Sequence, residues 1–119
     1  MSHKPRPEGC CTTPIPPAPM LNAEREQLVA AFKALADPTR LDVFRLIAAQ
    51  DEPICACDVV DRFDVSQPTI SHHLKTLRDA GLIVASRRGV WAYYGVDPRA
   101  NELLGQALAR LAPDRLAAG

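Results

Sequence analysis

Between Asn22 and Leu111, apolar residues recur at helical spacing in four stretches and at strand spacing in one region between them. Leu28, Ala31, Phe32 and Leu35 form one stripe and predict a helix over 24–35, with Asn22 as its cap. Asp37 caps a second helix, Pro38 occupies its first turn, and Leu41, Phe44, Leu46 and Ile47 supply its buried side to about residue 49. A connector over 50–53 leads to a short helix at about 57–63. After the break at Asp64-Val65, Ser66 caps a longer helix over 67–80. There Ile70, Leu74 and Leu77 share a face, and Gly81 stands where a C-terminal cap prefers glycine. Short helix, tight turn and longer helix make a helix-turn-helix. Beyond Gly81, residues 82–86 and 90–96 are rich in Val, Ile, Tyr and Trp and predict a hairpin with Arg87-Arg88-Gly89 at its tip. Pro98 opens a last helix over 99–111, striped by Leu103, Leu104, Ala107, Leu108 and Leu111. The expected fold class is α+β, mainly α: a winged helix-turn-helix with a two-stranded β-hairpin wing.

The flanks differ from this body. Residues 1–20 hold six of the 11 prolines, which excludes helix or sheet interior and predicts an extended, polyproline-like arm carrying Cys10 and Cys11. Residues 21–112 form the expected winged-helix domain, and 113–119 a frayed tail. A chain of 119 residues is one domain's worth, and small domains bury a limited share of their surface. No apolar run approaches the roughly 18–20 residues that span a bilayer. The first residues, MSHKPRPEGCC, lack the apolar stretch of a secretory signal. A cytoplasmic chain without a membrane partner is expected.

Fourteen basic and 14 acidic residues cancel, so only a local patch can favour nucleic acid. The longer helix supplies one: Gln67, Thr69, Ser71, His72, Lys75 and Arg78. Short polar groups in its first turn can reach base edges or phosphates in a major groove, and the free N–H groups near Ser66 favour phosphate. Arg87 and Arg88 suit an adjacent groove or its phosphates. The plainer reading is a solvated helix face and a basic turn; the order of the elements favours double-stranded DNA.

Four cysteines occur as two close pairs, Cys10/Cys11 and Cys55/Cys57. Thiols stay reduced in the cytosol, so the pairs suggest metal or redox chemistry before structural disulfides, against the plainer reading of small buried hydrophobes. Residues two apart point about 200° apart on a regular helix, so Cys55 and Cys57 converge only if the helix has not begun at Cys55. Pro53 fits such an approach, and a helix N-terminus favours thiolate.

SQPTISHHLKTLRDAGLI (66–83), RRGVWAYYGVDP (87–98) and FKALADPTRLDVFRLI (32–47) together closely resemble the ArsR/SmtB family of bacterial metal-responsive repressors. The resemblance covers about 24–111. It implies a homodimer that holds a palindromic operator when metal-free and releases it on binding metal or metalloid. It also implies DNA contacts at Ser66, Gln67, Thr69, Ser71 and His72, and a dimer interface on the first and last helices. The apolar stripes there suit an interface or an internal core equally. In the arsenic-sensing and cadmium/lead-sensing branches a C-x-C stands where this chain has Cys55-Ala56-Cys57. The third cysteine often found three residues later is Val60 here. The family's second site, of Asp, His and Glu on the last helix, is missing from 99–111, where Glu102 is the sole acid. The arsenic-sensing branch is the closest match.

The expected metal ligands are therefore Cys55, Cys57, Cys10 and Cys11. Trivalent arsenic or antimony takes three thiolates in a pyramid, whereas cadmium, lead or zinc more readily takes four. As(III) or Sb(III) is the favoured inducer, with Cd(II), Pb(II) or Zn(II) as the alternative. A repressor switched by thiol oxidation uses the same residues. No phosphate cradle or acid/base constellation surrounds either pair, which argues against an enzyme. His72 and His73 read as a DNA contact and a packing residue, Trp91, Tyr93 and Tyr94 as hairpin packing.

Overall fold

The computed structural model describes residues 20–112. The expected tail, and all but Met20 of the expected arm with Cys10 and Cys11, lie outside the described residues. The elements run α1 (Asn22–Leu35), α2 (Pro38–Ala48), β1 (Ile54–Cys55), α3 (Ala56–Arg62), α4 (Gln67–Asp79), β2 (Ile83–Arg88), β3 (Trp91–Val96) and α5 (Pro98–Leu111).

Local chemistry sets most of the boundaries. The Asp37 carboxylate accepts the Arg40 N–H at 2.9 Å, and the Ser66 hydroxyl accepts the Thr69 N–H at 3.3 Å. The Asp97 carboxylate accepts the Arg99 N–H at 2.9 Å ahead of α5. Each of these helices has proline in its first turn. α4 closes with two bonds, Gly81 N–H to the Arg78 carbonyl and Leu82 N–H to the Leu77 carbonyl, and Gly81 takes φ +79°. That pairing is a Schellman motif, and its left-handed residue is the reason for glycine. α1 departs from expectation: Leu21 is its N-cap and makes no side-chain cap, while Asn22 is already helical and binds the Arg25 guanidinium.

The core gathers Ala31 and Ala34 of α1, Val43 and Ile47 of α2, Val59 of α3, Ile70, Leu74 and Leu77 of α4, then Leu82, Ile83 and Ala100. The helical period located the buried faces, and part of each stripe stays uncovered in the single chain. Phe32 and Leu41 are each 40% exposed, and Leu108 and Leu111 are 66% and 62% exposed. Phe32, Leu41 and Leu108 lie at the edges of their stripes, whereas Leu111 is in line with Ala100, Leu104 and Ala107 but ends α5.

β2 and β3 form the expected wing, paired antiparallel from Ile83↔Val96 to Arg88↔Trp91. The turn is therefore Gly89-Val90, one residue later than expected. Gly89 has φ +65° and Val90 is not left-handed, the pattern of a type II′ hairpin. Arg87 and Arg88 are strand residues on opposite faces. A third strand that no sequence period marks, β1, pairs with β3 on its other edge, giving the order β1-β3-β2.

A polar knot joins three helices. Arg40 donates to the carbonyls of Lys33, at 3.1 Å, and Ala34, closing the end of α1. Its guanidinium also lies 3.4 Å from His73 Nδ1, which as acceptor leaves the ring proton on Nε2, 3.9 Å from the Asp37 carboxylate. His73 is buried, as expected of a packing residue. Burial lowers its pKa below the ordinary 6.5, with the Arg40 and His72 charges adding and the Asp37 charge opposing.

Two outcomes follow for stability. Leu77→Ala, at a fully buried position, lowers unfolding free energy by about 2–5 kcal/mol in urea melts. Because the folded-state pKa of His73 is depressed, its contribution is complete above the unfolded value of 6.5 and is lost as pH falls through the lower folded value. His73→Gln therefore flattens the decline in melting temperature on mild acidification.

Candidate nucleic-acid interface and thiol site

α3 and α4 form the helix-turn-helix, and α4 turns one face to the core and the other outward. Ile70, His73, Leu74 and Leu77 are buried, so Ser66, Gln67, Thr69, Ser71, His72, Lys75 and Arg78 are left exposed on the remaining arc. Arg87 and Arg88 are exposed on the wing. All nine expected contact residues thus reach solvent, but not all are free. The Ser66 and Thr69 hydroxyls lie 2.8 Å apart as part of the cap. Lys75 donates to Asp79 at 2.8 Å, an exposed pair one helical turn apart that costs little to open. The Arg88 guanidinium stacks 4.5 Å from the Tyr93 ring centre, which orients it along the wing.

The thiol pair sits at the junction of β1 and α3. Cys55 pairs with Tyr93 of β3 and is also the N-cap of α3, with extended backbone at φ −64° and ψ 140°. Cys57 is the second residue of α3. This break in conformation removes the divergence a continuous helix would impose, and the two sulfurs lie 2.6 Å apart. Both cysteines are free thiols. Cys55 is buried, whereas Cys57 is exposed on the wall of a cleft of about 480 Å³ between α3, α4 and the wing. Cys55 faces a separate groove bordered by Asp51, Glu52 and Asp58.

At Cys57 the neighbouring Cys55 thiol pushes the pKa above its ordinary value, against the pull toward thiolate expected of the helix start. The hydrogen bond with Cys55 is the chief cause, followed by desolvation and then the charges of Cys55 and Asp58. One turn of a seven-residue helix does not outweigh them. Among the described residues no group of three or more His, Cys, Asp or Glu is placed to hold a metal ion. The pair therefore supplies two sulfurs, and Val60, one turn beyond Cys57 on the same face, lines the same cleft as hydrocarbon. Sequence reasoning missed the cleft itself, since Trp91 reaches it only through the hairpin register.

Residues 37–84 match the family of bacterial regulatory proteins described as the arsR family. An uncharacterised helix-turn-helix transcriptional regulator of Methanocaldococcus jannaschii is 42% identical over 80 residues, which is 66% of this chain and 89% of that protein. The chain belongs to the arsR family. It is a DNA-binding transcriptional repressor and not an enzyme. The arsenical resistance operon repressor of Bacillus subtilis is 41% identical over 65% of this chain and 73% of its own length. Among solved structures, a homodimeric winged helix-turn-helix domain from Mycobacterium bovis superposes with a TM-score of 0.61 and 26% identity, over 77% of this chain and 89% of that one. No helix among the described residues is long and apolar enough to cross a membrane.

Replacing Cys55 by Ala removes the hydrogen bond that chiefly raises the Cys57 pKa. In a Cys10→Ser/Cys11→Ser background, Cys57 then alkylates faster with iodoacetamide at neutral pH, and its rate profile moves to lower pH.

Proposed function

We propose that this regulator represses a metalloid-resistance function in the cytoplasm and leaves its operator when Cys55 and Cys57 bind trivalent arsenic or antimony. The observation that carries this reading is the extended backbone of Cys55, which sets its sulfur against that of Cys57 at the base of the DNA-binding unit. A third sulfur comes from Cys10 or Cys11 on the proline-rich arm. The names of the arsenical resistance repressors among its relatives support arsenic. The four-thiolate reading, with cadmium, lead or zinc, uses the same residues.

The proposed DNA contacts are Ser66, Gln67, Thr69, Ser71, His72, Lys75 and Arg78 on α4, with Arg87 and Arg88 reaching phosphates from the wing. The active species is a homodimer through α1 and α5. Exposed Val29 and Phe32 on α1, with Leu108 and Leu111 on α5, give these helices an uncovered apolar surface. Two-fold symmetry then sets two α4 helices about one DNA turn apart.

Release follows from what the thiols touch. Cys55 is paired to β3 of the wing, and α3 packs on α4. An ion drawing in both sulfurs and an arm cysteine shifts the start of α3, and with it the angle between α4 and the wing. The ion must bind the DNA-free form better by only a few kcal/mol to empty the operator.

Anisotropy of a fluorescent operator duplex tests the reading. Arsenite is expected to release wild-type protein but not the Cys10→Ser/Cys11→Ser variant; equal release of both rejects the arm's role, and release by cadmium alone favours four thiolates. Acidity separates the inducers as well. Neutral arsenous acid condenses with thiols to give water and releases no proton. A divalent cation displaces one proton per thiol, so its potency rises by up to about tenfold per pH unit for each. Alanine at both Arg87 and Arg88 weakens operator binding and lowers the slope of log affinity against log salt by about two.

A further inference from the structure

We propose that the proline-rich arm seats in the cleft beside Cys57 once one of its cysteines is captured there, with Ile15 as the anchor, and so covers part of the surface that reads DNA. The inference rests on the reading that Cys10 or Cys11 completes the inducer site, and it names where the rest of the arm goes. Gln67 and Ser71, two of the proposed DNA contacts, line the cleft of about 480 Å³, and Val90 and Trp91 of the hairpin border it on the wing side. A segment held there covers Gln67 and Ser71 and stands between α4 and the wing, the two elements that face the operator. The arm is then a tethered competitor of DNA. Its cysteine supplies the tether, which raises the local concentration of the segment at the cleft, so modest apolar contact suffices.

The cleft matches this segment better than it matches a phosphate backbone. Val60, Ile70, Leu74 and Trp91 give it an apolar lining, and among the described residues Asp61 is its only charged one. No basic group borders it to draw a phosphate in. Residues 10–19, CCTTPIPPAP, carry no charge, and Ile15 is the only branched aliphatic side chain in 1–19. Trp91 is 56% exposed and Val90 81%, so both offer apolar surface that the described chain leaves uncovered. Proline-rich segments dock on aromatic-lined grooves with little backbone entropy left to lose. The spacing agrees as well. Four residues of polyproline-like chain from Cys11 to Ile15 cover about 12 Å, and a sphere of the cleft's volume is about 10 Å across. With Cys11 held at Cys57 on one wall, the chain up to Ile15 is long enough to cross the cleft.

Trp91 is the chain's one tryptophan, so acrylamide quenching of its fluorescence reports cover of the cleft without DNA. The experiment titrates arsenite into wild-type protein, Ile15→Ser and Cys10→Ser/Cys11→Ser, following Trp91 quenching, operator anisotropy and the thiols left open to iodoacetamide. In the wild type, arsenite is expected to shield Trp91 from the quencher and to release the operator. In Ile15→Ser an arm thiol is still captured, yet Trp91 stays as accessible as before arsenite, and half-release takes at least about tenfold more arsenite. The Cys10/Cys11 variant is expected to show no shielding. No shielding in the wild type, or an Ile15→Ser variant that matches the wild type in shielding or in release, overturns the docking while capture of an arm thiol leaves the inducer site standing. Cys10 and Cys11 both open in the arsenite-loaded wild type rejects the inducer site as read, and the docking falls with its tether.

Discussion

Cys55 ends a strand and caps a helix at the same time, and the thiol site exists because of that double role. Its partner across the sheet is Tyr93 of the wing. As long as the pairing holds, residue 55 stays extended, α3 begins at Ala56, and the two sulfurs meet. Without it a helix running back through Cys55 would throw the sulfurs to opposite sides. The same pairing ties the site to the wing, while the far side of α3 rests on α4.

The rest of the structure holds these elements still. α4 is fixed by Ile70, Leu74 and Leu77 in the core and by His73 against the Arg40 knot, so its outer arc is presented as a rigid surface. The Schellman motif at Gly81 turns the chain directly into the wing. In the proposed switch, a rigid α4 on an adjustable base lets a movement at α3 shift α4 as a unit.

Much of this was legible in the sequence where the determinants are local. Asp37, Ser66 and Gly81 announce helix ends because caps act within three residues, and the Pro38, Pro68 and Pro98 positions agree with them. β1 was not legible, since two residues have no period and the strand is created by its partner. Which part of each stripe the single chain leaves uncovered, at Phe32, Leu41, Leu108 and Leu111, was not legible for a related reason: periodicity gives the direction of an apolar face, and neighbouring elements set how much of it is covered. The convergence of Cys55 and Cys57 could be stated only as a condition on the backbone. Its effect on acidity, an upward push on Cys57 from the neighbouring thiol, depends on that convergence and carries no local signal. The cleft under Trp91 depends on hairpin register and lay beyond any local signal.

The most direct measurement of the account's central claim is arsenic X-ray absorption on the arsenite-loaded protein, wild type and Cys10→Ser/Cys11→Ser. The account predicts three sulfur neighbours around arsenic in the wild type, and two sulfurs with one oxygen in the variant. Three sulfurs in both proteins, or an arsenic shell in the wild type that is unchanged by replacing Cys55 and Cys57, would contradict it.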